Sequence, residues 1–372
     1  MIINRIIDED TTQIIEDNNG LPELQDCSVL VTGATGMVGS YFLYTLMKLN
    51  ESYGRNITII PLVRNISKLS EQVLNDSHVF PLIQDVTKPI NLDGYVDYVI
   101  HTASPSSPNA MKKYPYETNL ANTLGTYNTI ELALGNNMTD DKKQAKSYLY
   151  VSSREIYGQP MEGQDFFYEE GPLGQVNPLV PRNGYAEGKK AAENMCVAAR
   201  EEYGLNAKVV RPFQLYGPMM QIDDGRVQTD FFANVIKHEN IVLKSKGEAI
   251  KTFTYISDAV SAMFKVLLYG KENCYNIGNE EDKVSVRQLA EILCSTHPER
   301  NIGVTFDIPE SANKGNSAFT QGILCTDRIR TELGWAPKYR LIDGALRTID
   351  WYENFDPKAK AMIEEKQKVK KI

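Results

Sequence analysis

One stretch near the amino terminus carries the clearest structural signal in the chain: Val29-Leu30-Val31-Thr32-Gly33-Ala34-Thr35-Gly36-Met37-Val38-Gly39. Its apolar beginning is typical of a buried strand, and a helical pattern starts at its end and continues to Leu49. The glycines that join these elements are spaced Gly-x-x-Gly-x-x-Gly. The first permits a tight turn, the second lets backbone N–H groups approach a pyrophosphate, and the third lets the helix pack closely against the strand. Glycine strings are common in turns, so the prediction of a dinucleotide site depends on this strand and helix. The predicted contacts are Gly33, Thr35, Gly36, Met37, Val38 and Gly39.

Strand-like apolar runs alternate with helical patterns downstream of Cys27. Such alternation is typical of a parallel sheet covered by helices on both faces, and right-handed crossovers then give a doubly wound fold. The predicted strands are residues 28–32, 57–63, 78–83, 96–101, 147–152 and 207–211. The predicted helices are residues 36–49, 116–134 and 184–203. We therefore predict an α/β fold, a doubly wound parallel sheet of the Rossmann type with a smaller carboxyl-terminal lobe that binds substrate.

The same pattern predicts a division of the chain. Residues 1–26 read as an amphipathic extension, and residues 27–213 as the dinucleotide-binding domain, to which residues 251–277 return. Within that return, residues 252–256 and 274–277 are expected to rejoin the main sheet. Residues 214–250 and 278–356 form the predicted substrate lobe, which includes a polar stretch at 310–321. The Lys/Glu-rich residues 357–372 are expected to be a solvated helix or a frayed tail.

The composition is that of an ordinary soluble globular protein. The chain of 372 residues is 42% apolar and 24% charged, and its formal net charge of −8 argues against nucleic-acid binding. Its five cysteines and four histidines are scattered without a CxxC motif, so neither a disulfide framework nor a metal site is predicted. No apolar run approaches the roughly 18 residues of a membrane span, and the acidic amino terminus does not resemble a signal peptide. We therefore predict a cytoplasmic protein without a membrane partner.

Residues that follow the predicted strands bear on the cofactor. An acid at the end of the second strand normally binds the adenosine ribose, but Leu62-Val63-Arg64-Asn65 has none. Arg64 suits a 2′-phosphate, which slightly favours NADP over NAD, although a solvated surface arginine is the alternative. Asp85 and Val86 are predicted to contact the adenine. The residues after the fourth strand, Thr102, Ala103 and Ser104, are predicted to line the cofactor cleft.

A tyrosine and a lysine supply the predicted chemistry. Tyr185 and Lys189 lie four residues apart in a helical pattern, so their side chains face the same way. A free tyrosine has a pKa near 10, and a neighbouring ammonium together with a cationic nicotinamide ring favours the phenolate. Tyr185 is then a usable base near neutrality. Ser153, which follows a predicted strand, is placed to share a hydrogen bond with the substrate oxygen.

Several ordered motifs resemble the extended short-chain dehydrogenase/reductases, the NAD-dependent epimerase/dehydratase family, that act on nucleotide sugars. Within this family the chain is most similar to UDP-glucuronate decarboxylases and dTDP-glucose 4,6-dehydratases, over about residues 28–351. The most specific motifs are His101-Thr102-Ala103-Ser104-Pro105-Ser106-Ser107-Pro108, Ser152-Ser153-Arg154-Glu155-Ile156-Tyr157-Gly158, Tyr185-Ala186-Glu187-Gly188-Lys189, Arg211-Pro212-Phe213-Gln214-Leu215-Tyr216-Gly217-Pro218 and Tyr255-Ile256-Ser257-Asp258.

The resemblance implies an activity and a set of site residues. Tyr185 would take the proton of the sugar 4-hydroxyl while C4 passes hydride to NAD(P), which gives a 4-keto sugar. A C6 carboxylate would then leave as carbon dioxide, and Glu155 matches a glutamate of decarboxylases and dehydratases. Further implied cofactor contacts are Asn122, Val151, Tyr185, Lys189 and Pro212, and implied substrate contacts are Ser153, Arg182, Gln214, Arg226 and Lys251. A homodimer through the helices at 116–134 and 184–203 is also implied.

The chain departs from the family pattern at several positions. Arg154 stands where decarboxylases have serine and dehydratases have aspartate, so the partner that protonates a leaving hydroxyl is missing. Arg154 either holds a substrate carboxylate or pairs with Glu155, which would lower the pKa of Glu155. Gln214 replaces asparagine, Lys251 replaces arginine, and Gly322 lies near the position of another expected arginine.

Other functions stay open at this stage. Within enzymes, the alternatives are a nucleotide-sugar 4-epimerase, a 4-reductase or a 4,6-dehydratase. An alternative of another class is a non-catalytic protein that senses NAD(P). The intact Tyr185 and Lys189 pair argues against a sensor, because a sensor has no need for an activated phenol.

Overall fold

A computed structural model describes residues 4–138, 142–174, 176–309 and 322–369. The strands found in these residues are β1 (Ser28–Thr32), β2 (Thr58–Val63), β3 (Leu82–Ile83), β4 (Tyr98–His101), β5 (Ser147–Val151), β6 (Phe166–Phe167), β7 (Ala207–Pro212), β8 (Leu215–Tyr216), β9 (Ile241–Leu243), β10 (Ile250–Thr252), β11 (Thr254–Tyr255), β12 (Cys274–Ile277), β13 (Lys283–Ser285), β14 (Val304–Phe306) and β15 (Ile323–Leu324). The α-helices are α1 (Arg5–Asp17), α2 (Met37–Tyr53), α3 (Glu71–Leu74), α4 (Pro108–Lys113), α5 (Pro115–Ala133), α6 (Gly184–Tyr203), α7 (Val227–Ile236), α8 (Ile256–Tyr269), α9 (Val286–Ser295), α10 (Asp327–Leu333), α11 (Leu341–Asn354) and α12 (Pro357–Val369).

A parallel sheet forms the centre of the fold. Within the described part of the chain it has seven strands in the order β3-β2-β1-β4-β5-β7-β12. The direction in which the chain adds strands reverses between β1 and β4. In doubly wound sheets the carboxyl ends of the strands at such a reversal leave a crevice that binds a dinucleotide. The predicted α/β fold is confirmed.

Helices cover both faces of this sheet. Strand β5 shows how the sequence divides its side chains: Leu149 and Val151 join the apolar core under α2 and α8, while Tyr148 and Tyr150 face α5 and α6. This alternation follows from the two-residue period of a strand. Since both faces are buried, the strands of the sheet are nearly all apolar rather than alternating with polar residues. The predicted helices at 36–49, 116–134 and 184–203 correspond to α2, α5 and α6.

Two strand predictions differ from the structure. The run at 78–83 forms only β3 and an isolated bridge at Val79, because Pro81 between them has no N–H to donate to the ladder. Residues 252–256 do not rejoin the main sheet: β11 pairs with β8, and Ile256 begins α8. The prediction for 274–277 is confirmed, because β12 pairs with β7.

Short strands outside the main sheet pair with one another in the described residues. These pairs are β8–β11, β9–β14, β10–β13 and β6–β15. The polar stretch at 310–321 lies outside the described residues. The last described residues form α12, whose Lys366 makes an ion pair of 2.7 Å with Glu239.

The amino-terminal extension folds as predicted into a helix, α1. Asn4 caps it by accepting a hydrogen bond from the Ile6 N–H at 2.8 Å. Its Asp10 is fully buried and accepts hydrogen bonds from the hydroxyls of Tyr41 and Tyr255 at 2.7 and 2.9 Å. Arg347 of α11 donates to the same carboxylate at 2.7 Å. Helix α1 therefore joins α2 of the dinucleotide domain to α11.

Among the helices of the described residues, none combines the length and the apolar character needed to cross a membrane.

Candidate active site

The glycine-rich turn after β1 has the close contacts that its spacing predicts. Gly33 has a φ of +65°, and a Cβ there would lie 2.7 Å from Thr102 Oγ1 and 2.8 Å from Ala103 Cα. A Cβ on Gly39 would lie 2.3 Å from the Gly33 carbonyl oxygen. Gly36 caps α2 without a side-chain hydrogen bond, so the first N–H groups of the helix stay available to an anion. The turn thus fits a pyrophosphate.

Hydrogen bonds hold the ends of β1 and β4 together where the strand order reverses. Thr102 Oγ1 donates to the Thr32 carbonyl at 2.7 Å, and the Ala103 N–H donates to Thr32 Oγ1 at 3.1 Å. Thr32 Oγ1 also lies 2.7 Å from His101 Nδ1. The floor of the crevice is therefore fixed by contacts within the sheet.

Buried polar atoms around this crevice support the presence of a polar ligand. His101 Nε2, Ser104 Oγ, both amide atoms of Asn122 and the Tyr150 hydroxyl have no hydrogen-bond partner among the described residues. Buried polar atoms are rarely left without partners in native proteins. Asn122 is held close to α6, because a Cβ on Gly188 would lie 3.0 Å from the Asn122 Cβ. Ribose hydroxyls and a carboxamide are groups that these atoms can bind, so the residues fit a nicotinamide dinucleotide.

The predicted adenine end lies along the edge of the sheet. Arg64 is exposed at the end of β2. Burial raises the pKa of Asp85, but hydrogen bonds from the Thr87 N–H and hydroxyl, both 2.9 Å, and the charge of Arg64 outweigh it, so the pKa is lowered. Asn128 donates to the Val86 carbonyl at 2.8 Å and fixes the loop after β3. Arg64 and Asp85 are thus close to each other.

Tyr185 and Lys189 meet at the opposite end of the crevice, both buried on α6. Lys189 Nζ donates to the Val151 carbonyl at 2.7 Å and lies 5.8 Å from the centre of the Tyr185 ring. Burial raises the pKa of Tyr185 to about 12, although a hydrogen bond with Ser153 opposes this. Burial lowers the pKa of Lys189 to about 7, although the charge of Glu193 opposes this. Since the protein alone leaves the phenol protonated, an additional positive charge such as a nicotinamide ring is needed for the phenolate.

Glu155 lies between cations beside this pair. Its two oxygens accept hydrogen bonds from Arg154 at 3.0 Å and from Arg182 at 3.4 Å. Burial raises the pKa of Glu155, but the charges of Arg154 and Arg182 outweigh it and lower the pKa. The guanidinium of Arg154 also lies 5.2 Å from the centre of the Phe213 ring. Of the two predicted roles for Arg154, pairing with Glu155 is therefore the one that the structure contains.

Two of the other predicted substrate residues, Lys251 and Arg226, are close enough to this site to interact with it electrostatically. Burial and the charge of Arg154 lower the pKa of Lys251 to about 8, which places Lys251 near Arg154 and Glu155. Arg226 pairs with Asp224 and donates to the Ser106 carbonyl at 2.6 Å, and its charge reaches Tyr185. Gln214 follows β7 with a φ of +35°. Arg64 is at the adenine end and takes no part in this cluster.

Two buried charged residues next to the site were missed in the sequence. Glu193 and Arg211 form an ion pair of 2.6 Å. Glu193 lies one helical turn beyond Lys189, and this spacing was the signal that would have found it. Arg211 lies on β7, so its proximity depends on the sheet and had no local signal.

The chain belongs to the NAD dependent epimerase/dehydratase family, whose model matches residues 29–278. The prediction of an enzyme of this type is confirmed. The chain is 29% identical over 317 residues to UDP-glucuronic acid decarboxylase 6 of Arabidopsis thaliana, covering 85% of this chain and 86% of that protein. It is also 29% identical over 328 residues to UDP-glucuronic acid decarboxylase 1 of Danio rerio, covering 87% and 72%. The predicted similarity to decarboxylases is confirmed.

Solved structures share the fold at lower identity. A dTDP-glucose 4,6-dehydratase from Streptomyces venezuelae has a TM-score of 0.72 and 22% identity, and the match covers 90% of this chain and 99% of that one. A UDP-glucose 4-epimerase from Thermotoga maritima has a TM-score of 0.70 and 19% identity, with coverage of 88% and 98%. These likenesses support the architecture described above.

The Gly33–Gly39 contact can be tested by Gly39→Ala. The added methyl must displace the Gly33 carbonyl, and overpacking of this kind costs about 1–3 kcal/mol. We expect NAD+ affinity, measured by isothermal titration calorimetry, to fall by about tenfold or more. Gly303→Ala is the control, because a Cβ there meets nothing within 4 Å. Unchanged affinity in Gly39→Ala would contradict the assigned site.

Proposed function

We propose that the chain oxidises the sugar of a nucleotide sugar at C4 with bound NAD(P), then releases a C6 carboxylate as carbon dioxide and reduces C4 again. The observation that carries this proposal is the buried pair on α6, in which Lys189 Nζ lies 5.8 Å from the centre of the Tyr185 ring and donates to the Val151 carbonyl. The family match and the similarity to UDP-glucuronic acid decarboxylases support the substrate class.

The chain's residues divide the work as follows. Tyr185 as phenolate accepts the proton of the 4-hydroxyl, while Ser153 holds the same oxygen and Lys189 stabilises the phenolate charge. NAD(P), held at the turn from Gly33 to Gly39, would supply the hydride acceptor and donor for C4. In the resulting 4-keto sugar the C5–C6 bond breaks, its electron pair enters the enolate, and carbon dioxide leaves. A proton from solvent then adds at C5, and Tyr185 returns its proton to the C4 oxygen as the sugar is reduced again.

The charges beside the site support an anionic sugar. In the described residues, the cations Arg154, Arg182 and Lys251 surround the single carboxylate of Glu155. A negative group on the substrate would reduce this positive excess in a partly buried environment, where unbalanced charge is costly. A sugar C6 carboxylate is such a group.

The state of Glu155 argues against dehydration. A 4,6-dehydratase must protonate a leaving hydroxyl, and the lowered pKa of Glu155 keeps it a carboxylate without a proton to give.

A 4-reductase is the second candidate. Arg64, exposed at the end of β2 beside Asp85, suits a 2′-phosphate, and an enzyme that consumes its hydride donor commonly uses NADPH. The same observation supports NADP over NAD.

A panel of sugars tests the main proposal. Purified protein is incubated with UDP-glucuronate, UDP-glucose or dTDP-glucose and with NAD+ or NADP+, and product mass is followed. We expect loss of carbon dioxide from UDP-glucuronate, and a decrease of about a hundredfold or more in Tyr185→Phe, as is usual for a lost acid–base group. Tyr203→Phe, an exposed tyrosine on the same helix, is the control. Three other results would contradict decarboxylation. Loss of water would indicate a 4,6-dehydratase, an unchanged mass with altered stereochemistry a 4-epimerase, and stoichiometric NADPH consumption a 4-reductase.

The role of Arg154 is tested by Arg154→Ser. If Arg154 also binds the substrate carboxylate, KM for UDP-glucuronate should rise about tenfold to a hundredfold, the value of one charge-assisted hydrogen bond, with a smaller change in kcat. Binding of UDP-glucose should change little. Arg287→Ser removes a surface arginine that pairs with Glu291 and is the control. An equal loss of affinity for UDP-glucuronate and UDP-glucose would show that Arg154 acts only through Glu155.

We also propose a homodimer through α5 and α6. These helices pack on each other and expose apolar side chains outward, of which Tyr116 is 71% and Tyr127 51% exposed. An apolar helix surface of this kind favours association. Light scattering coupled to size exclusion should give twice the chain mass of 41.9 kDa. A monomer at micromolar concentration would remove the proposal.

A further inference from the structure

A buried carboxylate lies one helical turn beyond Lys189. Glu193 is 8% exposed, and Ser152 Oγ donates a hydrogen bond of 2.5 Å to its Oε1. Arg211 donates to both oxygens, from Nε at 3.1 and 3.2 Å and from Nη2 at 2.6 Å. Arg211 is itself held by a 2.7 Å hydrogen bond from its Nη1 to the Tyr157 hydroxyl. The Glu193 carboxylate therefore has a fixed position.

This carboxylate connects the two sides of the proposed active site. Its partner Ser152 precedes Ser153 in the chain, and Ser153 is near enough to Tyr185 to lower the pKa of its phenol. Its own helix carries Tyr185 and Lys189 on the same face, at spacings of eight and four residues. The strand that ends before Ser152 supplies the Val151 carbonyl that accepts from Lys189. Glu193 thus fixes helix α6 against the end of β5.

The ionisable groups around Lys189 and Glu193 come from several elements. On α6 these are Tyr185 and Cys196; the sheet contributes His101 of β4, Tyr150 of β5, Arg211 of β7 and Cys274 of β12. Burial keeps His101 neutral, since its pKa is lowered to about 3, and burial raises the pKa values of Cys196, Cys274 and Tyr150. Glu193 is therefore the group whose negative charge favours the Lys189 ammonium, while Arg211 fixes Glu193.

We infer that Glu193 is a positioning residue for the C4 oxidation: held by Arg211 and Ser152, it fixes α6 against the end of β5 and so keeps Lys189 in place beside Tyr185. The inference rests on the proposed function for its catalytic consequence. It assigns no direct contact between Glu193 and the substrate.

The expected pH dependence follows from the signs of these interactions. The pKa of Lys189 is already lowered to about 7 by burial, and the Glu193 charge raises it. Neutralising Glu193 lets Lys189 lose its proton at lower pH. The phenolate of Tyr185 then loses a stabilising cation, so its formation requires higher pH.

The test compares wild type with Glu193→Gln between about pH 6 and pH 9, with NAD+ affinity and kcat measured at intervals of about half a pH unit. We expect the pH-dependent part of NAD+ affinity, measured by calorimetry, to move down by about one unit, and the rising limb of kcat with UDP-glucuronate to move up by a similar amount, which is a tenfold loss of kcat on that limb. KM for UDP-glucuronate should change less than twofold. Glu193→Asp, which retains the charge, should restore both curves. Glu187→Gln, on the same helix and paired with Lys190, is the matched control and should leave both unchanged.

Coincident pH curves for NAD+ in wild type and Glu193→Gln would overturn the inference. The wild type could turn over none of the sugars while the pH curve for NAD+ affinity still differs between wild type and Glu193→Gln. In that case the proposed function is wrong and the link between Glu193 and Lys189 stands. Circular dichroism checks folding, because Glu193→Gln leaves the Arg211 charge buried. If that variant does not fold, Ser152→Ala removes one hydrogen bond that holds Glu193, leaves both charges in place and should give smaller shifts in the same directions.

Discussion

The burial of a single ammonium group, that of Lys189, is the constraint on which the site depends. A lysine at 2% exposure loses most of its hydration, and the fold offsets this with the Val151 carbonyl at the end of β5 and the nearby charge of Glu193. Both partners exist only if α6 packs on the sheet in one register. The site therefore depends on how α6 packs on the sheet, since a shift of one residue along β5 would turn the Val151 carbonyl away from Lys189.

Much of the fold follows from local pattern, and the exceptions have physical reasons. The turn from Gly33 to Gly39 and the alternation of strands and helices are written in consecutive residues, which is why the doubly wound sheet could be predicted. Pro81 interrupts a run that otherwise reads as a strand. Residues 254–255 pair with β8 rather than with the main sheet, and this choice depends on a partner 39 residues away in the register Thr254 with Leu215. The sequence of residues 252–256 alone does not show which strand they pair with.

The site divides in the same way. The Tyr185 and Lys189 spacing is a property of one helix, so it could be predicted, whereas the choice between the two predicted roles of Arg154 could not. Arg154 and Glu155 are adjacent in sequence, yet their shared environment includes Arg182 and Lys251, which come from elements far along the chain. Arg154 is nearly buried, with 12% of its side chain exposed, so its charge must be balanced locally. A bound anion and Glu155 compete for the same cations, and this competition ties the charge of the substrate to the state of Glu155.

The amino-terminal helix adds a constraint that the family match does not include. The match begins at residue 29, but α1 places Asp10 against Tyr255 of β11 and against Arg347 of α11. Burial raises the pKa of Asp10 while Arg347 opposes this, so the pair is stable only when both elements are docked. Separating α11 from α1 would leave a buried charge without its partner. Because such a charge costs several kcal/mol, roughly 3–5 when one partner of a buried pair is lost, α1 holds the small lobe near one position relative to the sheet.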